Sequence, residues 1–183
     1  MKIYFIRHGE TDWNKQLKIQ GRINNSLNKT GKMQSIKKSK YFNDLKPTKI
    51  IHTSLIRTIQ TYTEINNLQE WNITPTIDDH FIERRFGELE GCSVKEFYAL
   101  KDTIEDVVNY ECDTEIQDRI REGLESFSEY SNDEIIFIFT HSHVLKSIMV
   151  MADVYSDYEF SLPNLSVLQI EYVNSQINFI DVQ

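Results

Sequence analysis

Arg7 and His8 are adjacent near the start of the chain, directly after the apolar run Ile3-Tyr4-Phe5-Ile6. An arginine guanidinium presents a rigid fork of N–H donors that fits the oxygens of a phosphate group. A histidine imidazole is the side chain most readily found neutral and nucleophilic near pH 7. Together the two could offer a phosphoryl group both charge neutralisation and a nucleophile, if the fold brings further donors to the same place.

Two further apolar runs lead into residues that could join this pair. The run 135–139 leads into His141, and Ile50-Ile51 leads into a helical pattern that carries Arg57 in its first turn. Continuous apolar runs are typical of central parallel strands covered by helices on both faces. Because the carboxyl ends of parallel strands open onto one crevice, we expect His141 and Arg57 to lie near His8. An arginine in the first turn opposes the helix dipole, so Arg57 faces either solvent or a bound phosphate.

The succession of apolar runs predicts an α/β fold in one domain over residues 1–183. Runs of strand length alternate with segments of helical period, and no long linker separates them. The predicted strands are residues 2–6, 48–52, 74–77, 134–140, 166–172 and 177–182, and the predicted helices are residues 31–45, 55–68, 93–100, 115–130 and 143–151. We expect the last two strands to form an antiparallel hairpin around Asn174-Ser175, and Ser93 with Glu96 to form a capping box.

Composition narrows the class of protein. The 183 residues carry a formal net charge of -8, which argues against binding to nucleic acids or anionic membranes in general, since those ligands need a basic face. No apolar run approaches the roughly 20 residues of a membrane span, and Arg7 interrupts the first run too early for a signal peptide. We therefore expect a cytoplasmic protein. Cys92 and Cys112 lack the spacing of a zinc or redox pair, so we interpret both as free thiols.

Five segments along the chain form an ordered set of motifs. They are Arg7-His8-Gly9-Glu10-Thr11 with Asn14 downstream, Gln20-Gly21-Arg22 followed by Ser26-Leu27 and Gly31, residues 54–61, residues 83–91, and His141 after its apolar run. In this order the chain resembles the histidine phosphatase superfamily, and the resemblance spans most of its length. It implies a phosphoglycerate mutase-like fold, which is a three-layer α/β/α sandwich with a mostly parallel central sheet and an antiparallel edge.

The resemblance implies phosphoryl transfer in two steps. His8 attacks phosphorus, and water then hydrolyses the resulting phosphohistidine. Arg7, Arg57 and His141 would form a cationic pocket around the phosphoryl oxygens, and Asn14 would donate a hydrogen bond to them. The substrate would be a small anionic phosphomonoester, and neither a metal ion nor another cofactor is required.

Glu83 is the implied proton donor to the leaving oxygen. A general acid must begin protonated, whereas the adjacent Arg84 and Arg85 favour the ionised form of a carboxyl group. Phe86 could help to shield the site from water. Glu88 is the alternative carboxylate in the same segment.

Gln20, Gly21 and Ser142 are the other residues that the resemblance places at the phosphate. The family often has Pro-Leu-Thr where this chain has Ser26-Leu27-Asn28, and glycine where this chain has Ser142. Ser142 still offers a backbone N–H, but its side chain narrows or polarises the floor of the pocket. These departures bear on the identity of the substrate more than on catalysis.

The segment His141-Ser142-His143 admits a different chemistry, because histidines with this spacing occur in metal-dependent hydrolases. Such a site needs further ligands. Val144-Leu145-Lys146 follows without another histidine or carboxylate, and only His52 and His80 remain elsewhere. We interpret His143 as a residue of the pocket wall or the helix start, and His80 as an exposed loop residue.

Three functions are compatible with the motifs. Mutase relatives carry extra segments that exclude water from the phosphoenzyme, whereas residues 91–134 have room here only for two modest helices. A phosphatase is therefore favoured over a cofactor-dependent phosphoglycerate mutase. The third function is a catalytically silent module that binds a phosphate ligand or regulates a partner. Such a module would not need the full set of motif residues. Arg22, Arg84 and Arg85 could add positive charge at the rim of the pocket.

Overall fold

The computed structural model describes residues 1–131 and 133–183, with the backbone alone at residues 101, 102 and 105. Within these residues six strands form one sheet: β1 (Lys2–Arg7), β2 (Lys49–His52), β3 (Thr76–Ile77), β4 (Ile135–Thr140), β5 (Val167–Val173) and β6 (Gln176–Val182). Their spatial order is β3-β2-β4-β1-β5-β6. The first four strands in this order are parallel, and β5 and β6 run antiparallel to their neighbours. The predicted sheet, mostly parallel with an antiparallel edge, is confirmed.

The helices connect and cover these strands. They are α1 (Asp12–Lys15), α2 (Lys29–Lys38), α3 (Ile56–Gln69), α4 (Val94–Ala99), α5 (Asp113–Glu125) and α6 (Ser142–Met151), with 3₁₀ helices at Ser39–Phe42, Asp79–Phe81, Gly87–Leu89 and Lys101–Asp106. Among the described residues, no helix has both the length and the apolar character needed to cross a membrane.

Successive residues of the central strands face opposite layers of the sandwich. On β1, Phe5 packs in one buried cluster with Ile120 of α5 and Ile148 of α6. Its neighbour Tyr4 packs in a second cluster, on the other face, with Ile65 of α3. Both faces of the sheet are thus covered, which is why the strands are continuously apolar rather than alternating. Each fully buried isoleucine or phenylalanine contributes about 1.5–3 kcal/mol relative to an exposed one.

Two predicted helices are longer than the observed ones. The helix predicted over 31–45 ends at Lys38 and continues as a 3₁₀ turn, where the Ser39 hydroxyl donates to the Ile36 carbonyl at 2.7 Å. The helix predicted over 115–130 ends at Glu125, and the Ser126 hydroxyl donates to the Gly123 carbonyl at 2.7 Å. Serine hydroxyls compete in this way with the regular helical bonds. The apolar spacing alone did not reveal these ends.

The other element predictions agree with the structure to within a few residues. The capping box of α4 is confirmed, since the Ser93 hydroxyl accepts from the Glu96 N–H and the Glu96 carboxylate accepts from the Ser93 N–H. The four-residue helix α1 was missed. Its own capping box joins Thr11 and Asn14.

The register of β1 and β4 places two histidines side by side. Arg7 and Thr140 are Cα partners at the carboxyl ends of the two strands. The next residue, His8, donates its backbone N–H to the Thr140 carbonyl at 3.0 Å. His141 follows Thr140 directly, so both histidines leave the sheet at the same edge.

Candidate active site

His8 is the buried residue at the centre of this edge, with 2% of its surface exposed. Its Nδ1 lies 2.7 Å from the Gly9 carbonyl oxygen. Because a carbonyl can only accept, Nδ1 carries the proton and donates, which leaves Nε2 of the neutral ring with a free lone pair. Burial, followed by the positive charges of Arg57 and Arg7, holds the pKa of His8 well below its usual value. The ring is therefore neutral near pH 7 and nucleophilic at Nε2.

The turn that follows His8 is fixed by close backbone packing. The Gly9 N–H donates to the Thr61 hydroxyl at 3.0 Å. A Cβ on Gly31 would lie 2.1 Å from the Glu10 carbonyl oxygen, and a Cβ on Gly9 would lie 2.6 Å from the Gly31 carbonyl oxygen. The backbones of Gly31 and Glu10 lie so close together that a side chain at residue 31 would clash, which explains the glycine there.

Arg57 is fully buried at the second residue of α3, so the solvent-facing alternative is wrong. One terminal nitrogen of the guanidinium donates to the Ile23 carbonyl at 2.8 Å, and the other donates to the Gly21 carbonyl at 2.7 Å. Burial lowers the pKa of Arg57 to about 10, and the Glu83 charge opposes that decrease. The guanidinium therefore stays protonated at neutral pH, with its Nε atom buried and without a hydrogen-bond partner among the described residues.

Arg7 brings a second guanidinium to the same place. It donates to the Leu162 carbonyl, and burial lowers its pKa to about 10. Among the described residues, its Nε atom also has no hydrogen-bond partner. A buried donor without a partner costs roughly 1–3 kcal/mol, so these two arginines form a cationic site that an anion would stabilise.

His141 packs against the nucleophile candidate from the end of β4. The His8 and His141 ring centroids are 5.4 Å apart, with the planes at 60°. His141 Nε2 lies 2.9 Å from the Thr53 hydroxyl oxygen, while its Nδ1 is buried and has no partner in the described part of the chain. Burial and then Arg57 lower the pKa of His141 well below its usual value. Thr53 was not singled out by the sequence analysis, although it directly follows β2 and precedes the Arg57 motif.

Glu83 is also buried, with 6% of its surface exposed. Its Oε1 accepts the backbone N–H groups of Arg84 at 3.0 Å and His143 at 3.1 Å. Neither adjacent arginine donates a guanidinium hydrogen bond to this carboxylate within the described part of the chain. The Arg84 guanidinium donates to the Asp113 carboxylate and to the Tyr110 hydroxyl, at 2.6 Å in each case.

The other two arginines expected at the pocket rim have partners as well. Arg22 donates to Glu111 at 3.2 Å and to the Glu83 carbonyl at 3.1 Å. Arg85 donates through Nε to the Asn109 carbonyl at 2.8 Å. These contacts tie the Glu83 segment to its neighbours, and none of the three arginines is among the described residues that line the phosphate cavity.

The polar residues expected at the phosphate are held in place by hydrogen bonds. Asn14 Oδ1 accepts the Thr11 N–H at 3.1 Å and the Asn164 amide at 3.3 Å, which leaves its own amide N–H groups for a ligand. Gln20 Oε1 accepts the Thr11 hydroxyl at 2.9 Å. Gly21 has φ +51°, a left-handed backbone that favours glycine, and its carbonyl binds Arg57.

A cavity of about 130 Å³ brings most of the predicted site residues together. Its lining includes Arg7, His8, Asn14, Gln20, Gly21, Arg57, Glu83 and Ser142. Phe86 lines it too, as expected, and so do Lys18, Ile19 and Val94, which the sequence analysis missed. His143 belongs to the same wall, whereas His80 is an exposed residue bonded to Asp78.

A metal site at the two closely spaced histidines would need further ligands. Among the residues that the structure describes, no three His, Cys, Asp or Glu side chains are grouped so as to hold a metal ion. His141 Nε2 is hydrogen-bonded to the Thr53 hydroxyl, and His143 Nδ1 lies 3.9 Å from Glu83 Oε1, which is too far for a hydrogen bond.

The doubly covered sheet thus brings two histidines from its strand ends together with Arg7 and Arg57. The model of the histidine phosphatase superfamily (branch 1) matches residues 3–182, and the chain belongs to this superfamily. It is therefore an enzyme of the phosphatase class, a phosphoric monoester hydrolase.

Individual relatives carry both phosphatase and mutase names. The chain is 31% identical to the uncharacterized phosphatase PhoE of Bacillus subtilis (strain 168) over 149 residues, which are 80% of this chain and 75% of PhoE. It is 26% identical over 189 residues to the probable phosphoglycerate mutase GpmB of Salmonella paratyphi A, covering 96% of this chain and 87% of GpmB. A solved phosphoglycerate mutase from Bacillus anthracis str. Sterne has the same fold, with a TM-score of 0.87 at 17% identity over 98% of this chain and 91% of that structure.

Proposed function

We propose that this enzyme hydrolyses small phosphomonoesters through a phosphohistidine on His8, without a metal ion. In the first step His8 Nε2 forms a bond to phosphorus, and the bond between phosphorus and the ester oxygen breaks. In the second step water attacks phosphorus, the N–P bond breaks, and inorganic phosphate leaves. The Gly9 carbonyl, 2.7 Å from Nδ1, supports the positive charge that the phosphorylated ring carries.

The observation that carries this proposal is the set of buried nitrogens around His8 that lack a partner among the described residues. They are Arg7 Nε, Arg57 Nε and His141 Nδ1. The buried Arg57 guanidinium and the partly buried Arg7 guanidinium lie beside a neutral imidazole, and their two positive charges outnumber the single carboxyl group of Glu83 in the same cavity. Such a site favours a phosphate dianion, and it stabilises the negative charge on the oxygens of the transferring phosphoryl group. Asn14, with its amide N–H groups free, adds a neutral donor.

Glu83 is the proposed general acid and base. Both backbone N–H groups that hold it bind Oε1, so Oε2 is the oxygen left to exchange a proton. In the first step the carboxyl group protonates the leaving oxygen. In the second step the carboxylate takes a proton from the attacking water and returns to its starting form.

Hydrolysis is favoured over mutase activity by the elements that follow the acidic segment. The described residues between 91 and 134 contribute α4, the short 3₁₀ helix Lys101–Asp106 and α5, and this described part contains no larger insertion that could shut water out. Phosphoglycerate mutase activity is the second candidate, because GpmB, which carries that name, matches nearly the whole chain.

Turnover of phosphomonoesters in the presence of EDTA tests this proposal. We expect hydrolysis of p-nitrophenyl phosphate to persist in EDTA, to be lost in His8→Ala, and to be unchanged in the control His80→Ala. A panel of sugar phosphates, phosphoglycerates and nucleotides then identifies the substrate class. Inhibition by EDTA would contradict the metal-free mechanism. Interconversion of phosphoglycerates faster than their hydrolysis would favour a mutase, and no turnover of any ester would favour a binding module.

A further inference from the structure

A second and larger cavity opens beside the phosphate site. It has a volume of about 420 Å³, within the range of cavities that bind small organic molecules. His143 lines both cavities. The two cavities are therefore adjacent at His143, and we call the larger one the aromatic cavity.

Rings form much of the wall of the aromatic cavity. Phe97, Tyr98, Tyr110 and Tyr158 line it together with His143. The His143 and Tyr158 rings are nearly parallel, at 14° with centroids 6.1 Å apart. Flat apolar faces of this kind pack against aromatic rings or against the C–H faces of other compact groups.

The charges around the aromatic cavity disfavour an anion. Arg84 is the guanidinium among the described lining residues, and it is already bonded to Asp113 and the Tyr110 hydroxyl. Asp157 lines the cavity as well, and its carboxylate accepts the Glu159 N–H at 2.8 Å and the Ser156 hydroxyl at 3.3 Å. The described lining thus presents more carboxylates than cations. The buried ammonium group of Lys146, which donates to the Tyr158 carbonyl at 2.7 Å, offsets part of this negative charge. A leaving group with a second negative charge would still meet more carboxylates than cations there.

We propose that the aromatic cavity binds the leaving group of the substrate and selects alcohols with a flat apolar body and no negative charge. This inference rests on the proposed function, because the phosphate site fixes one end of the substrate. In this inference the substrate is selected by two aromatic rings of α4 and by the rings of Tyr110 and Tyr158. Those elements lie outside the motif residues that hold the phosphate.

A series of benzyl phosphates tests separately how the shape and the charge of the leaving group affect hydrolysis. The para-methyl and para-carboxyl derivatives share one leaving-group geometry, and the methylene group insulates the ester oxygen from the substituent. We expect kcat/KM for para-methylbenzyl phosphate to exceed that for ethyl phosphate by about tenfold or more, the size of a good aromatic contact. The para-carboxyl derivative should be disfavoured by a similar factor, and Asp157→Asn should reduce that penalty.

Tyr98→Ala tests the location directly, because this side chain is 45% exposed and can be removed without opening the core. The ratio of kcat/KM for para-methylbenzyl to ethyl phosphate should fall about tenfold in Tyr98→Ala. The ratio should not change in Tyr130→Ala, which removes an exposed tyrosine outside the aromatic cavity. An unchanged ratio in Tyr98→Ala, or equal rates for benzyl and ethyl phosphate, would overturn the inference.

Binding to His8→Ala distinguishes failure of this inference from failure of the proposed function. Calorimetry on that variant ranks the same phosphates without requiring turnover. If the wild-type enzyme hydrolyses none of them, the proposed function fails, and the ranking still decides the role of the aromatic cavity. Tighter binding of the para-methyl than the para-carboxyl derivative supports the inference, and the reverse order contradicts it.

Discussion

The imidazole rings of His8 and His141 meet edge to face, with their centroids 5.4 Å apart. Their contact follows from the register of two central strands, in which Arg7 and Thr140 are Cα partners. Neighbouring parallel strands end at the same edge of the sheet, so residues far apart in sequence meet there. The sheet itself therefore positions the proposed nucleophile.

Arg57→Lys is expected to remove phosphate binding while keeping a positive charge. Lysine cannot reproduce the fork that holds the Gly21 and Ile23 carbonyls or present a third N–H to a phosphate. We expect kcat/KM to fall about 10²-fold or more, and the free energy of unfolding to fall by roughly 1–3 kcal/mol. Steady-state kinetics and urea unfolding measure the two effects.

The matched control for Arg57 is Arg121→Lys. Arg121 is an exposed residue of α5 that pairs with Asp118, and exposed pairs contribute little to stability. Arg121→Lys should change neither kcat/KM nor the free energy of unfolding. Full activity in Arg57→Lys would show that the Arg57 guanidinium does not bind the phosphate as proposed.

Glu83→Gln should affect substrates according to their leaving groups. A glutamine can keep the hydrogen bonds from the two backbone N–H groups, but it cannot supply a proton. We expect hydrolysis of alkyl phosphates to slow about 10²- to 10⁴-fold, the usual contribution of a general acid. Hydrolysis of p-nitrophenyl phosphate should slow much less, because nitrophenolate leaves without protonation.

Glu88→Gln is the control for Glu83, since it changes the alternative carboxylate of the same segment, which does not line the phosphate cavity. It should leave the ratio of alkyl to nitrophenyl phosphate turnover unchanged. If Glu88→Gln rather than Glu83→Gln shifts that ratio, the assignment of the acid is wrong.

Stability should fall below about pH 6.5, because His8, His141 and His143 have folded-state pKa values well below that of a free imidazole. In each case burial is the first cause. The unfolded chain binds these protons at a higher pH than the folded chain does, so acid favours unfolding until the folded-state pKa is reached. Each histidine contributes on the order of 1 kcal/mol of loss between about pH 7.5 and about pH 5.5.

Urea unfolding at the two pH values, in the wild type and in His8→Ala, measures this linkage. The free energy of unfolding of His8→Ala should fall less on acidification than that of the wild type, and the difference should be on the order of 1 kcal/mol. The reason is that the variant lacks one imidazole whose pKa is lowered by the fold. Equal losses in the two proteins would mean that His8 is not held neutral by the fold.

Local sequence was sufficient to predict the strands and the residues at their ends. The apolar runs before His8 and His141 are long enough to identify central strands, and parallel topology then brings the two histidines to one edge. For Arg57 the sequence is compatible both with a solvent-facing side chain and with one that faces a bound phosphate. Its burial depends on the Gly21 and Ile23 carbonyls, which approach from another loop.

Tertiary partners account for what the sequence did not reveal. Arg84 is adjacent to Glu83 in sequence, but the partner of its guanidinium, Asp113 at the start of α5, could not be identified from sequence. Thr53 was overlooked as the partner of His141, since a threonine after a strand has no chemical signature of its own. The aromatic cavity likewise depends on segments that are distant in sequence and meet only in the fold.

Trapping the covalent intermediate tests the central claim most directly. A substrate with a radiolabelled phosphoryl group is mixed with the enzyme, the reaction is quenched in alkali, and the labelled residue is identified by peptide mapping. We predict label on a nitrogen of His8 in the wild type, a longer-lived label in Glu83→Gln with a nitrophenyl substrate, and none in His8→Ala. Turnover without any label on His8, or label that persists in His8→Ala, would contradict the proposed mechanism.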